Sequence, residues 1–129
     1  MTHTKAKWFK YFSYLAGLIT MSPLVQYFFP QQGLSLSQIS LQDSAGLLFA
    51  QHWGFMAFCM GLLWIWAAQA PNQRKLPLVL VALEKFALVL LIALNWQTPA
   101  LQGMHLAAFF DAVCALVIVV YLYQASSKR

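Results

Sequence analysis

Long apolar runs, separated by short polar segments, dominate this sequence. The four runs cover approximately residues 8–29, 45–70, 76–96 and 104–123. At 1.5 Å per residue, each run is long enough to cross about 30 Å of hydrocarbon as an α-helix. The pattern therefore predicts an all-α integral membrane protein, a four-helix transmembrane bundle that forms a single domain over residues 1–129.

The overall composition agrees with this prediction. Of the 129 residues, 61% are hydrophobic and only 9% are charged, whereas about a quarter of the residues of a soluble protein carry charge. Lipid tails rather than water are the expected surroundings of most of the chain. The lipid bilayer is thus its first predicted partner.

The positions of the basic residues predict the orientation in the membrane. Seven of the eight lysines and arginines precede the first run, join the second to the third, or follow the fourth: Lys5, Lys7, Lys10, Arg74, Lys75, Lys128 and Arg129. Because basic segments resist translocation, we expect both termini on the cytoplasmic side. The aromatic residues agree with this orientation. At the cytoplasmic interface of the membrane we expect Trp8, Trp64, Trp66, Tyr121 and Tyr123, and at the outer interface Tyr27 and Trp96.

Two other interpretations of these features are less favourable. The net charge of +5 does not predict nucleic-acid binding, because the basic groups flank helix ends and form no groove with interleaved aromatics. The first run is long for a signal peptide and lacks a clear small-x-small cleavage site, so we interpret it as a retained anchor.

The sequence contains no pattern that indicates a cofactor or a metal site. Cys59 and Cys114 lie inside predicted helices without C-x-x-C spacing, which favours buried structural cysteines. No H-E-x-x-H, Walker or Rossmann motif occurs. We therefore expect no metal and no cofactor.

Polar side chains inside the apolar runs are the candidate functional residues, because a charge at the bilayer centre costs at least about 2.5–3.5 kcal/mol. They are Gln51, His52, Glu84, Lys85, Asn95, His105 and Asp111. Glu84 and Lys85 point about 100° apart on a helix, so each requires a partner from another helix. Our hypothesis pairs Lys85 with Asp111 and places Glu84 near His52, either hydrogen bonded or as a protonated acid.

These four residues, His52, Glu84, Lys85 and Asp111, are candidates for ligand binding or proton coupling. The alternative is that they only specify how the helices pack. His105, near a helix end, is interpreted as interfacial. Asp43 or Ser44 is expected to cap the second helix.

Helical periodicity predicts which faces point inward. The inward face of the fourth helix would comprise Asp111 with Met104, Ala107, Ala108, Cys114 and Ala115. That of the third would comprise Glu84 with Pro77, Leu80, Val81, Leu88, Leu91 and Asn95. The second helix has a packing seam of small residues, Ala50, Gly54, Ala57 and Gly61, and a nearly opposite face with His52, Met56, Cys59 and Leu63. We expect protein contacts on both of its faces.

The segment 30–44 is the longest connection and contains leucine and isoleucine among serines and glutamines. It is expected to lie on the outer surface of the bundle. An interfacial lid is a further interpretation.

Several short motifs resemble a known family. His52-Trp53-Gly54, the Pro71–Arg74 turn and the Glu84-Lys85 pair, within a four-span layout, are similar to small bacterial DoxX-like membrane proteins. The resemblance implies a four-helix bundle of the bacterial inner membrane whose role varies, and it assigns no catalytic residue. Small multidrug-resistance transporters have a similar length and span number, but their essential glutamate lies in the first helix, where this sequence has none.

Three classes of function follow. The first is a bundle that binds or transports a small apolar or cationic molecule, with proton coupling through Glu84 and His52. The second is an accessory or assembly subunit that docks on another membrane protein through the small-residue seam. A homo-oligomer is a separate candidate assembly. The third is an intramembrane enzyme that uses His52, Glu84 and Asp111 as acid and base. We rank an enzyme last.

Overall fold

A computed structural model describes the backbone of residues 3–127 and the side chains of residues 7–127. The side chain of Lys5 and residues 128 and 129 lie outside this part. All regular structure from residue 3 to residue 127 is helical. The α-helices are α1 (His3–Met21), α2 (Val25–Phe28), α3 (Pro30–Leu36), α4 (Ser44–Gln69), α5 (Lys75–Leu94) and α6 (His105–Ser126), with 3₁₀ turns at Ser22–Leu24 and Pro99–Met104.

Three of these helical segments are long and apolar enough to cross a membrane. They are Ser44–Gln69, Lys75–Leu94 and Pro99–Ser126. Each corresponds to one of the predicted runs. The first predicted run forms α1, a 3₁₀ turn that contains Pro23, and the short α2. The all-helical fold is thus confirmed, and three of the predicted runs form helices able to span a membrane.

The first half of the chain forms one antiparallel pair, in which α1 and α2 lie along α4. A β-carbon at Gly61 would meet the backbone carbonyl of Gly17 at 2.6 Å. Further along the pair, the amide nitrogen of Gln51 donates to the carbonyl of Tyr27 at 2.9 Å. Glycine at the crossing point lets the two backbones approach closely, as predicted for the small-residue seam.

The second half forms another antiparallel pair, α5 with α6. Lys85 contacts Asp111 near the middle of the pair, and the Arg74 guanidinium donates to the Tyr121 hydroxyl at its end. The inward face predicted for α6 is confirmed, because Met104, Ala108, Asp111, Cys114 and Ala115 are buried and Ala107 is half-buried.

The two pairs close on each other at the end of the bundle that holds Lys7, Lys10, Arg74 and Lys75, here called the basic end. Buried side chains from all four long helices form the main core there: Phe9, Ala16, Trp64, Ala67, Leu78, Val81, Ala82, Cys114, Ile118 and Tyr121. The Phe9 and Tyr121 rings stack with centroids 3.7 Å apart. The opposite end, formed by residues 28–44 and 94–105, is called the distal end and has a smaller core.

Capping at the distal end follows the sequence prediction. The Asp43 carboxylate accepts a hydrogen bond from the backbone N–H of Gly46 and so caps α4. This bond satisfies one of the free N–H groups at the start of the helix. His105 is half-buried and stacks on Trp96 with ring centroids 3.7 Å apart.

Four sequence predictions about orientation are wrong in whole or in part. The buried face of α5 contains Lys85, whereas Leu80, Leu91 and Asn95 of the predicted stripe are exposed. On the second face of α4, His52 and Met56 are exposed, and only Leu63 near the basic end packs against the main core in the described chain. Cys59 on that face is exposed rather than buried. Trp64, placed by the sequence at an interface, is fully buried in the main core.

Two helix contacts explain most of these differences. The seam on α4 packs against α1, and this contact fixes the rotation of α4 and turns its opposite face outward. On α5, Lys85 is buried against α6. The buried face of α5 is therefore shifted by about one residue along the chain from the predicted stripe.

Candidate intramembrane binding site

A cavity of about 500 Å³ lies between the two helix pairs, in the distal half of the bundle. Its walls come from the end of α1, from α2 and α3, and from α4, α5 and α6. The break at Pro23 contributes to this space, because the chain there leaves the regular α-helix. The volume falls within the roughly 300–1,000 Å³ that is typical of small-molecule pockets.

The floor of the cavity contains a buried ion pair. The Lys85 ammonium donates to the Asp111 carboxylate, with Nζ and Oδ1 separated by 2.6 Å. Lys85 is 1% exposed, and it lies ten residues after the start of α5 at Lys75, which is ~15 Å along the helix. The predicted pairing of Lys85 with Asp111 is confirmed.

Two aromatic rings surround the Lys85 ammonium. Its nitrogen lies 5.7 Å from the centroid of the Trp64 ring and 5.2 Å from that of Phe110. At these distances the ring faces attract a cation. The lysine therefore has both a carboxylate and an aromatic environment that stabilise its charge away from water.

Three other polar groups line the cavity without using their full hydrogen-bonding capacity. Glu84 Oε2, Gln26 Oε1 and Thr20 Oγ1 are buried atoms with no hydrogen-bond partner among the described residues. A buried polar group without a partner costs about 1–3 kcal/mol. All three groups are available to a molecule that occupies the cavity.

The connection 30–44 covers the cavity at the distal end. Gly33, Leu36 and Ser37 belong to its wall, and the α3 helix packs against α2 and α4. The backbone carbonyl of Ser37 lies directly against Gly103 of the second 3₁₀ turn, where any β-carbon would collide with it. These two connections together form a roof over the polar floor.

The structure brings some of the predicted site residues together and separates others. Glu84, Lys85 and Asp111 all line the cavity. His52 is exposed, does not line the cavity, and forms no hydrogen bond with Glu84 in the described chain. The hypothesis that pairs Glu84 with His52 is therefore wrong. Its physical reason is the rotation of α4 that the seam imposes.

The predicted packing seam is buried, but the segment that covers it belongs to the same chain. Ala50, Gly54, Ala57 and Gly61 are all buried. Gly54 lies against the carbonyl of Pro23, and Gly61 lies against Gly17 and Met21. The seam is a packing device, as predicted, yet its surface is occupied by the first helical segment and is not free to dock another protein.

Sequence reasoning missed four contributors to the site: Thr20, Gln26, Trp64 and Phe110. Thr20 and Gln26 are polar residues within an apolar run, which is a signal that could have identified them. Trp64 and Phe110 had no comparable signal, because aromatic residues are common in such helices. Only the packing of α4 and α6 around Lys85 selects them.

Comparisons of this chain with protein-family models, with curated proteins and with solved structures found no match. Among the described residues, no group of three or more His, Cys, Asp or Glu side chains is placed to hold a metal ion. The site is thus defined by its own geometry, which is a polar floor near the middle of the helices beneath a largely apolar cavity.

Proposed function

We propose that this chain is a small polytopic protein of the bacterial inner membrane with four spans and both termini in the cytoplasm. The support for a fourth span is that α1 and α2 lie antiparallel along α4, a helix that is itself long and apolar enough to cross the bilayer. Segments packed in this way share the same hydrocarbon layer. The described basic residues outside the helix centres gather at one end, as expected for a cytoplasmic face.

We further propose that the protein binds, and in this way can carry, a small molecule in its intramembrane cavity. The observation that supports this function is the cavity of about 500 Å³ whose floor holds Glu84, Lys85 and Asp111. Charged side chains are costly in a membrane and are retained where they interact with a ligand, an ion or each other. The unpartnered oxygen atoms of Glu84, Gln26 and Thr20 give a ligand specific groups to bind.

Occupancy of the cavity tests this function directly. We expect native mass spectrometry of the protein, purified from its own membranes in a mild detergent, to detect a bound organic molecule. Ala107→Phe places a ring in the cavity wall and should abolish binding of this molecule. Ala93→Phe, the same change at an exposed position of α5, should leave it unchanged. An unliganded wild-type protein, or equal occupancy of the two variants, would contradict the proposal.

The two alternative functions have less support. The enzyme hypothesis requires His52, which lies outside the cavity. The accessory-subunit hypothesis assigned docking to a seam that α1 already covers. Similarity to DoxX-like proteins remains a prediction from the sequence and adds no residue to the site.

A further inference from the structure

The cavity opens to the side of the bundle. Ile19, Val25 and Leu36 on one edge and Leu106 on the other belong to its wall, yet they are 45%, 37%, 79% and 78% exposed. A wall residue with so much exposed surface must lie at the mouth of the cavity. The mouth therefore lies between the first helical segment with α3 on one side and α6 on the other.

Apart from Ser22, an exposed residue of the cavity wall, the surroundings of this mouth are apolar. Leu15 and Leu18 on α1, and Phe109 and Val113 on α6, are exposed on either side of it. In a chain that lies in a bilayer, such a surface contacts hydrocarbon. The roof formed by Ser37 and Gly103 covers the distal end, so the mouth faces the lipid rather than the water at that end.

The floor carries one more acidic group than basic groups. Among the residues that line the cavity, Lys85 is the only basic one in the described chain, and it is already bonded to Asp111. Glu84 Oε2 has no partner among the described residues, and Gln26 and Thr20 in the wall of the same cavity also present unpartnered oxygen atoms. A ligand head with a positive charge and N–H donors satisfies this arrangement, because charge-assisted hydrogen bonds to a carboxylate are the strong ones.

We propose that the cavity takes an amphipathic ammonium compound, a positively charged amine head on an apolar chain, which enters sideways from the bilayer. The head pairs with the Glu84 carboxylate, and the apolar chain leaves the cavity past Val25 and Leu106. This inference rests on the proposed binding function and adds to it the class of ligand and its route. Both a free long-chain amine and a phospholipid with an ethanolamine head supply this chemistry.

Binding of radiolabelled dodecylammonium to the protein in dodecylmaltoside micelles, whose heads are uncharged, tests the class of ligand. We expect saturable binding that unlabelled dodecylammonium displaces and dodecanol does not. Glu84→Gln should weaken it about tenfold or more. Glu84→Asp keeps the charge and should retain measurable binding, which separates loss of charge from loss of fold. Asp43→Asn removes an exposed acid outside the cavity and should have no effect on affinity.

A second pair of variants tests the route. Leu106→Trp narrows the mouth and should slow association severalfold. Leu116→Trp makes the same change at an exposed position of α6 outside the cavity and should leave the rate unchanged. Equal rates for the two variants would overturn the lateral route.

The remaining outcomes distinguish a wrong class of ligand from a wrong proposed function. Displacement by dodecanol, or equal affinity of wild type and Glu84→Gln, would overturn the ammonium class. In another outcome, the protein fails to bind dodecylammonium and still holds an organic molecule that Ala107→Phe removes. That result would also overturn the ammonium class of ligand, while the proposed binding function would stand. Displacement of dodecylammonium by phosphatidylethanolamine would identify a membrane lipid as the source of the ammonium group, and absence of displacement would favour a free amine.

Discussion

Lys85 illustrates how a single residue determines both packing and chemistry. Its side chain is removed from solvent, bonded to Asp111 and flanked by the rings of Trp64 and Phe110. Adjacent charges on one helix cannot neutralise each other well, so the sequence already required a partner from another helix. This argument correctly identified Asp111. It failed for Glu84 because the candidate partner, His52, lies on the face of α4 that turns outward.

Removing one member of this pair should cost more stability than removing both. We expect Lys85→Met to lower the free energy of unfolding by about 3 kcal/mol, because it leaves the Asp111 carboxylate buried without a partner. The double change Lys85→Met with Asp111→Leu should recover much of that loss. Unfolding in mixed micelles of increasing dodecylsulfate content measures both values.

The exposed Lys75 provides the matched control for this comparison. Lys75→Met should change the free energy of unfolding by less than about 1 kcal/mol. Equal losses for Lys75→Met and Lys85→Met, or no recovery in the double variant, would contradict the importance of the buried pair.

At the scale of helices, small residues decide how the elements are oriented. The positions of the helices followed from hydropathy, because a bilayer requires continuous apolar segments. Their rotations did not follow, since α4 has two plausible inward faces and only the close approach of Gly17 to Gly61 selects one. The cavity could not be predicted from the sequence either, because it depends on the 3₁₀ turn at Ser22–Leu24 and on how α3 folds over it.

A larger side chain in the seam should separate α1 from α4. We expect Gly61→Val to lower the thermal unfolding midpoint by several degrees, because its β-carbon meets the Gly17 carbonyl and Met21. Cys59→Val, on the exposed face of the same helix, should have little effect. Tryptophan fluorescence during heating reports both midpoints, and equal stability of the two variants would argue against the seam.

For the whole molecule, the two helix pairs meet tightly at the basic end and diverge toward the distal end. Phe9, Trp64 and Tyr121 fill the space between the pairs at the basic end, while the cavity occupies it in the distal half. This asymmetry places the polar floor near the middle of the helices and leaves a mouth at the side of the bundle. Binding from the basic end would require the Phe9–Tyr121 contact to open.

The number of spans is a property of the whole molecule that reporters can measure. We expect reporters fused at the two ends of the chain to lie on the cytoplasmic side, because the basic residues gather there. A reporter inserted between residues 37 and 43 should lie on the opposite side. Ends on opposite faces of the membrane would instead indicate three spans and would place α1 outside the bilayer.

The central claim is that small molecules enter the cavity, and the reactivity of a cysteine placed in its wall measures this most directly. Thr20 and Ser13 are both buried hydroxyl residues of α1, but only Thr20 lines the cavity. In a chain with Cys59→Ala and Cys114→Ala, we predict that N-ethylmaleimide modifies Thr20→Cys in intact membranes much faster than Ser13→Cys. Equal and slow modification of both would contradict the claim.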